Sequence, residues 1–550
     1  MKKRGNKHLF SQVPHVNIPR SSFDRSYDFH TTLDGGYIVP FYADDVLPGD
    51  TFRARLHALI RMTTPIVPVM SNIWADFFFF FVPQRLVWEH SEQFFGQQED
   101  PGDSIDYVYP ESACPASKKV NNIEVGGTKA QDLQDYFGVP LHVPGLKFNN
   151  LDCRAYNLIY NQWFRDENLQ DSLPVPKGDG PDNYTDFVLK KRNKRHDYFT
   201  SCLPWPQKGP GVDIPLGLTA PVISNGQSPV FVNTPGSTTG SSLYWRVEEG
   251  GSAPARLSLA NTSVFDSNTN LYFSANPERT GLIADLTEAA AASINTLRQA
   301  FALQSLQEAW ARGGSRYTEI VRSLFGVVSP DARLQRAEFL GGGSIRIKVN
   351  PVVQQSSSDA TSPQGNLAAF AYGISNLNDG IGFSKSFTEH GFVYGFISIR
   401  TDLAYQQGLP RRLSRRTLYD TYIPQLANIG EQAVLMKELY ATGTDADNIA
   451  FGYQERNAEY RYYPSQITGK MRSTSKNVTT GASDSLDIWH LAQVFDSAPT
   501  LGSDFIEENP PFKRLLAVQD EPEFWMDGYV ELQCARPMPL YGVPAGLFRM

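Results

Sequence analysis

Cysteine is scarce in this chain: Cys114, Cys153, Cys202 and Cys534 are the only four in 550 residues, and none forms a Cys-x-x-Cys pair. So few thiols cannot staple a chain of this size, and they read as reduced thiols in a protein assembled in a cytosol. Long apolar runs are missing too. The most apolar run, Phe77–Val82, has six residues, whereas a spanning helix needs about 20. That run reads as a buried strand, and no membrane insertion is expected. Met1–His8 is basic, but no apolar segment follows it, so no secretory leader is expected. Charged residues are only 20% of the chain and the net charge is −8. A protein coating nucleic acid along its whole surface would be basic, so any such contact must be confined to patches.

The usual catalytic signatures are also missing. There is no P-loop, no Gly-x-Ser-x-Gly and no His-Glu-x-x-His. The nine histidines are scattered, none paired at i, i+2 or i, i+4, so nothing in their spacing asks for a metal. No cofactor is expected. Gly341–Gly343 precedes a strand rather than a helix, so it lacks the helix N-terminus of a phosphate cradle and reads as a flexible turn. The acidic pairs Asp44–Asp45 and Glu507–Glu508 would point to opposite faces of a strand, so neither alone makes a glycosidase couple. A solvated edge, or a calcium ligand at a subunit contact, suits them better.

What the chain does have is aromatic residues, at 12%, and strand periodicity. Phe52, Ala54, Leu56, Ala58 and Ile60 alternate with a polar set, which predicts a strand with one wet face. Ile73–Val82 is apolar throughout and predicts a strand buried on both faces. Ser344–Val349, Gly391–Arg400, Tyr453–Tyr463 and Tyr529–Cys534 also read as strands. Helical spacing marks Leu151–Asn168, residues 285–312 with a capping box at Asp285 and Glu288, and Tyr317–Phe325. Strands this far apart must pair across long excursions, which is the pattern of a jelly roll with large loops. Residues 1–30 form a basic arm expected to order only against a partner. Residues 31–208 are the first part of the jelly roll. Residues 209–281, rich in Gly, Pro, Ser, Thr and Asn, form a surface insertion. Residues 282–550 hold helices and the remaining strands.

Basic clusters are the one constellation with functional pull. Lys2, Lys3, Arg4 and Lys7 lie in the arm. Lys190, Lys191, Arg192, Lys194 and Arg195 lie within six residues, followed by Tyr198 and Phe199. Cations near phosphates release counterions, and aromatics stack on unpaired bases, so both clusters are candidate DNA contacts. Arg411, Arg412, Arg415 and Arg416 form a third. The bland alternative is pairing with carboxylates of neighbouring subunits, or solvation.

Several longer stretches carry a resemblance. Arg20–Ser26, Gly35–Pro40, Val46–Phe52, Phe77–Trp88, Arg195–Pro204, Glu389–Gly391, Tyr405–Gly408 and Ile429–Gln432 are similar to segments of gokushovirus major capsid proteins, a branch of the Microviridae. The resemblance implies a mainly β protein, an eight-stranded viral jelly roll with long loop insertions and a few helices. It implies a closed icosahedral shell of about 60 copies of the chain. The cargo would be circular single-stranded DNA, with a DNA-pilot minor capsid protein and an internal scaffolding protein as partners. Assembly would take place in the bacterial host cytoplasm. The insertion would project near the threefold axes and meet a host-cell receptor. Two other classes fit the composition less well: a carbohydrate-active β-sandwich enzyme, which needs a carboxylate pair in a cleft, and a cellular single-strand DNA-binding protein, which would be more basic.

Overall fold

The computed structural model describes residues 19–542 apart from 105, 121–122, 213–221, 225–230, 233–244, 249–255, 260–271, 274–281, 285–293, 354–366, 376–379 and 428. The chain divides into two compact units, Gln207–Trp310 and the remainder.

The larger unit is built on β1 (Ser21–Asp24), β2 (Tyr27–Leu33), β3 (Val39–Val46), β4 (Thr51–Met62), β5 (Ile73–Pro83), β6 (Glu338–Val353), β7 (Leu367–Ile374), β8 (Gly382–Ser386), β9 (Gly391–Thr401) and β10 (Phe524–Arg536). All are antiparallel, in the order β1-β10-β4-β7-β6-β5-β9-β3, with β8 also on β4 and β2 also on β10. The fold is mainly β and of jelly-roll type, as expected, but the curled sheet counts ten strands rather than eight.

The curl follows from the side chains. β10 and β3 are six steps apart in the strand order, roughly 30 Å in a flat sheet. Yet Tyr27 on β2, the strand paired to β10, stacks on Tyr42 of β3 with ring centroids 6.2 Å apart. The sheet therefore wraps around one core, into which β4 sends Phe52, Ala54, Leu56, Ala58, Ile60 and Met62. β5 is buried on both faces, as its unbroken apolar run predicts, and so is β9. Phe77, Phe79, Val393 and Ile397 face this core. Phe80, Val82, Tyr394 and Phe396 face a second one on the convex side. Helix α1 (Leu151–Ile159) closes that second core with Leu151, Ala155, Tyr156 and Ile159, and continues as a π-helical turn, Tyr160–Phe164.

Four expectations change. Within the basic arm, β1 and the start of β2 are already strands of this sheet, held on β10 of their own chain. Gly341–Gly343 is strand, not turn: β6 bulges between Phe339 and Gly341, and a Cβ on Gly342 would lie 2.2 Å from the Phe77 carbonyl oxygen. The strand expected over Tyr453–Tyr463 runs only over Ala450–Glu455, because Asn457 turns left-handed (φ 58°) and starts a short 3-10 helix. The helix expected from 285 is described only as α2 (Ile294–Arg312), and its stripe residues Ile294 and Phe301 are exposed. The Asp285–Glu288 capping box lies outside the described residues. Helix α3 (Tyr317–Phe325) stops at left-handed Gly326, as expected.

Within the smaller unit, three antiparallel pairs nest inside one another. Val222–Ser224 pairs with Leu282–Ala284, Phe231–Val232 with Tyr272–Phe273, and Trp245–Glu248 with Arg256–Leu259.

Candidate nucleic-acid interface

The run 190–195 is extended and clamped from both sides. The Ile38 N–H donates to the Lys190 carbonyl and the Arg192 N–H to the Gly36 carbonyl, at 2.9 and 2.7 Å. On the other side the Lys194 N–H donates to Ile506 at 2.8 Å and the Glu508 N–H to Arg192 at 2.7 Å. Extended backbone sends alternate side chains to opposite faces, so the five cations do not form one patch.

Three of the five are engaged within the chain. Lys191 reaches Asn509 at 2.9 Å and lies over the Tyr37 ring. Arg192 pairs with Asp76 at 2.5 Å and lies over Phe78. Lys194 is buried, donating to Gln493 at 2.8 Å and to the Phe505 carbonyl at 2.5 Å. Burial pulls its ammonium down to about 8, against the opposing pull of Glu508 and Asp197. Lys190 and Arg195 make no ion pair among the described residues, and Arg195 is exposed. Lys2, Lys3, Arg4 and Lys7 lie outside the described residues.

Asp76 is the hub of this region. Burial alone would raise its carboxyl, but hydrogen bonds from Arg400 and Ser344 and the Arg192 guanidinium hold it below the usual carboxylate range.

Tyr198 and Phe199, expected to stack on bases, are core residues instead. Asp197 Oδ1 accepts the N–H groups of Phe199 and Thr200 at 2.9 and 2.8 Å, and this turn drives both rings inward. Tyr198 donates to Glu438 at 2.9 Å and Phe199 packs edge-on to Tyr405. In the arginine cluster, Arg411 pairs with Glu438 at 2.7 Å and Arg415 with Glu459 at 3.0 Å. These partners belong to the same chain, not to a neighbour. The acidic pairs are engaged as well: Asp44 with Arg25 at 2.5 Å, and buried Glu508 with the Thr401 N–H at 3.2 Å. Among the described residues no three His, Cys, Asp or Glu side chains gather as metal ligands.

The chain matches the capsid protein (F protein) family over residues 11–546. It belongs to that family. It is 46% identical to capsid protein VP1 of Bdellovibrio phage phiMH2K, covering 98% of each chain. It is 40% identical to capsid protein VP1 of Chlamydia phage 1, over 99% of this chain and 98% of that one. It is 36% identical to capsid protein VP1 of Spiroplasma virus 4 over the full length of both. The resemblance to gokushovirus capsid proteins therefore holds. The protein is a structural, non-enzymatic component of the virion capsid, and it self-assembles.

One region leaves several large side chains uncovered. Leu418, Tyr419 and Tyr463 are 71%, 69% and 70% exposed. Tyr422, Tyr460 and Tyr462 are exposed beside them, with Arg412 and Arg416. Tyr460 is held by Tyr422 on one side and the Arg415 guanidinium, 4.3 Å from its ring centre, on the other. Sequence reasoning missed this surface. The Tyr-rich segments 419–422 and 460–463 are its only local signal, and their adjacency is tertiary.

Proposed function

We propose that the protein closes into an icosahedral shell of about 60 equivalent copies, the number set by one chain per icosahedral asymmetric unit, around circular single-stranded DNA. The exposed tyrosine and arginine surface carries this reading. Such residues dominate the buried centres of protein interfaces, where large rigid rings gain contact area at small entropic cost. A lone subunit has no use for five such tyrosines in water.

The other roles rest on the family resemblance. Arg195, Lys190 and the basic residues Lys2, Lys3, Arg4 and Lys7 face packaged DNA. Residues 209–281 face the host-cell receptor. An internal scaffolding protein guides assembly in the host cytoplasm, and a DNA-pilot minor capsid protein joins the particle.

Electron microscopy of nuclease-treated particles, made with the scaffolding protein co-expressed, tests the shell. Uniform icosahedral particles are expected from the wild type. Tyr419→Ser/Tyr463→Ser is expected to leave a folded subunit that does not close. A wild-type subunit that stays monomeric would overturn the reading.

A further inference from the structure

A cleft of about 710 Å³ opens beside the clamped basic run. Its lining is unusual for a chain with a net charge of −8. Five aromatic residues face it: Phe78, Phe80, Trp163, Phe164 and Phe339. Arg192, Asn193, Lys194, Arg195 and His196 complete the lining, which includes no carboxylate. By contrast, the arginines bordering the tyrosine surface share their hollow with Glu438 and Glu459, which neutralise them.

The aromatic wall is rigid and partly uncovered. Phe339 on β6 is 42% exposed, yet backed by Phe80 and Trp163 with ring centroids 5.5 and 5.9 Å away. Phe164 is held edge-on by Phe78 and Phe80 at 5.3 and 5.9 Å. The inner cations are committed: Arg192 to Asp76 and Lys194 to Phe505. The Arg195 guanidinium and the His196 imidazole, further out, are exposed and make no ion pair among the described residues. Supported rings with accessible edges beside an uncommitted guanidinium and an imidazole, with no carboxylate in the lining, match a flat apolar group carrying an anion.

We propose that this cleft holds unpaired nucleotides of single-stranded DNA, with a base stacked on Phe339 and Phe164 and its phosphate on Arg195 and His196. The volume falls within the range of small-molecule sites and exceeds what one base requires. Stacking on a ring tolerates any base, which suits a shell meeting a genome at many equivalent points. The inference rests on the DNA-facing role of the basic run and assigns it a partner surface on β5, β6 and the turn after α1.

The test is fluorescence anisotropy of a labelled twelve-residue oligo-dT with the purified full-length chain, over a range of salt. Phe339→Ala is expected to weaken binding about tenfold and leave the salt dependence unchanged, and Phe339→Trp to restore it. Arg195→Ala is expected to weaken binding and shallow the log–log salt slope by about 0.7. Unchanged affinity in both alanine variants, with wild-type binding intact, would overturn the cleft and leave the DNA role of the basic run standing. No binding by a wild type that still closes into particles would overturn both. Lost particle formation with unchanged oligonucleotide affinity would assign the cleft to a protein contact and overturn the nucleotide site.

Discussion

At the scale of single residues, the fold rests on buried ion pairs whose partners are far apart in sequence. Arg154 on α1 is the clearest. Its side chain is fully buried, and its Nε and Nη2 each donate to Asp182 at 2.7 Å while Nη1 donates to the Val87 carbonyl at 3.1 Å. Asn150 adds a further bond to the same carboxylate at 2.6 Å. The fork ties α1, the segment after β5 and the loop before the basic run into one block. Arg154→Ala strands a buried carboxylate, and breaking such a pair costs about 3–5 kcal/mol. Arg154→Lys keeps the charge but loses the planar fork, so it should fall between. Urea unfolding of the unassembled subunit would check both, and a loss under about 1 kcal/mol for alanine would mean the pair holds nothing. None of this was legible in the sequence. Arg154 and Asp182 lie 28 residues apart, and Asp76 lies 116 from Arg192. Charge counts show cations but not their partners, so a basic run looked continuous where three of its five members are committed inside the chain.

At the scale of elements, the periodicity was the legible part. Apolar alternation marks β4 and β9, and an unbroken apolar run marks β5, because burial leaves a direct imprint on residue choice. Neighbours in the sheet leave no such imprint. β6 lies between β5 and β7, and its glycines were misread for that reason. Glycine in a strand marks either a turn or a close backbone approach, and only the partner strand distinguishes them. Here it is approach: a Cβ on Gly341 would sit 2.4 Å from the Gly382 carbonyl oxygen, and one on Gly343 2.7 Å from Ile381. Gly342→Ala forces β6 away from β5 and should cost about 1–3 kcal/mol or more. Gly102→Ala, at an exposed site with nothing within 4 Å, is the control and should be near neutral. Equal midpoints in denaturant for the two variants would mean the ladder absorbs the methyl group without strain. Nor could the curl that joins β2 to β3 be read locally, since it is a property of ten strands together.

At the scale of the whole molecule, two buried carboxyls couple the fold to pH. Burial pushes Asp152 up to about 6, against the hydrogen bond Tyr394 donates to it at 2.7 Å, with Asp45 adding repulsion. Burial pushes Glu523 up to about 7, against the Gly35 N–H at 2.7 Å and with Asp34 nearby. A carboxyl raised on folding binds its proton more tightly in the folded chain. Its contribution is therefore most favourable below the ordinary value near 4 and is lost as pH rises to the folded value. For Asp152 the window runs from about 4 to about 6, for Glu523 from about 4 to about 7. Each change is on the order of 3 kcal/mol. His390 and His490 act in the opposite sense, since burial lowers both, so the raw stability curve does not isolate the effect. The difference from the neutral isosteres does. Asp152→Asn keeps an oxygen for Tyr394 to donate to, and Glu523→Gln keeps one for Gly35. Relative to each variant, the wild-type subunit should lose stability across the named window and run parallel outside it. Thermal unfolding at half-unit pH steps from 4 to 8 measures this, and parallel curves throughout would mean that the two carboxyls ionise as freely in the folded chain as in the unfolded one.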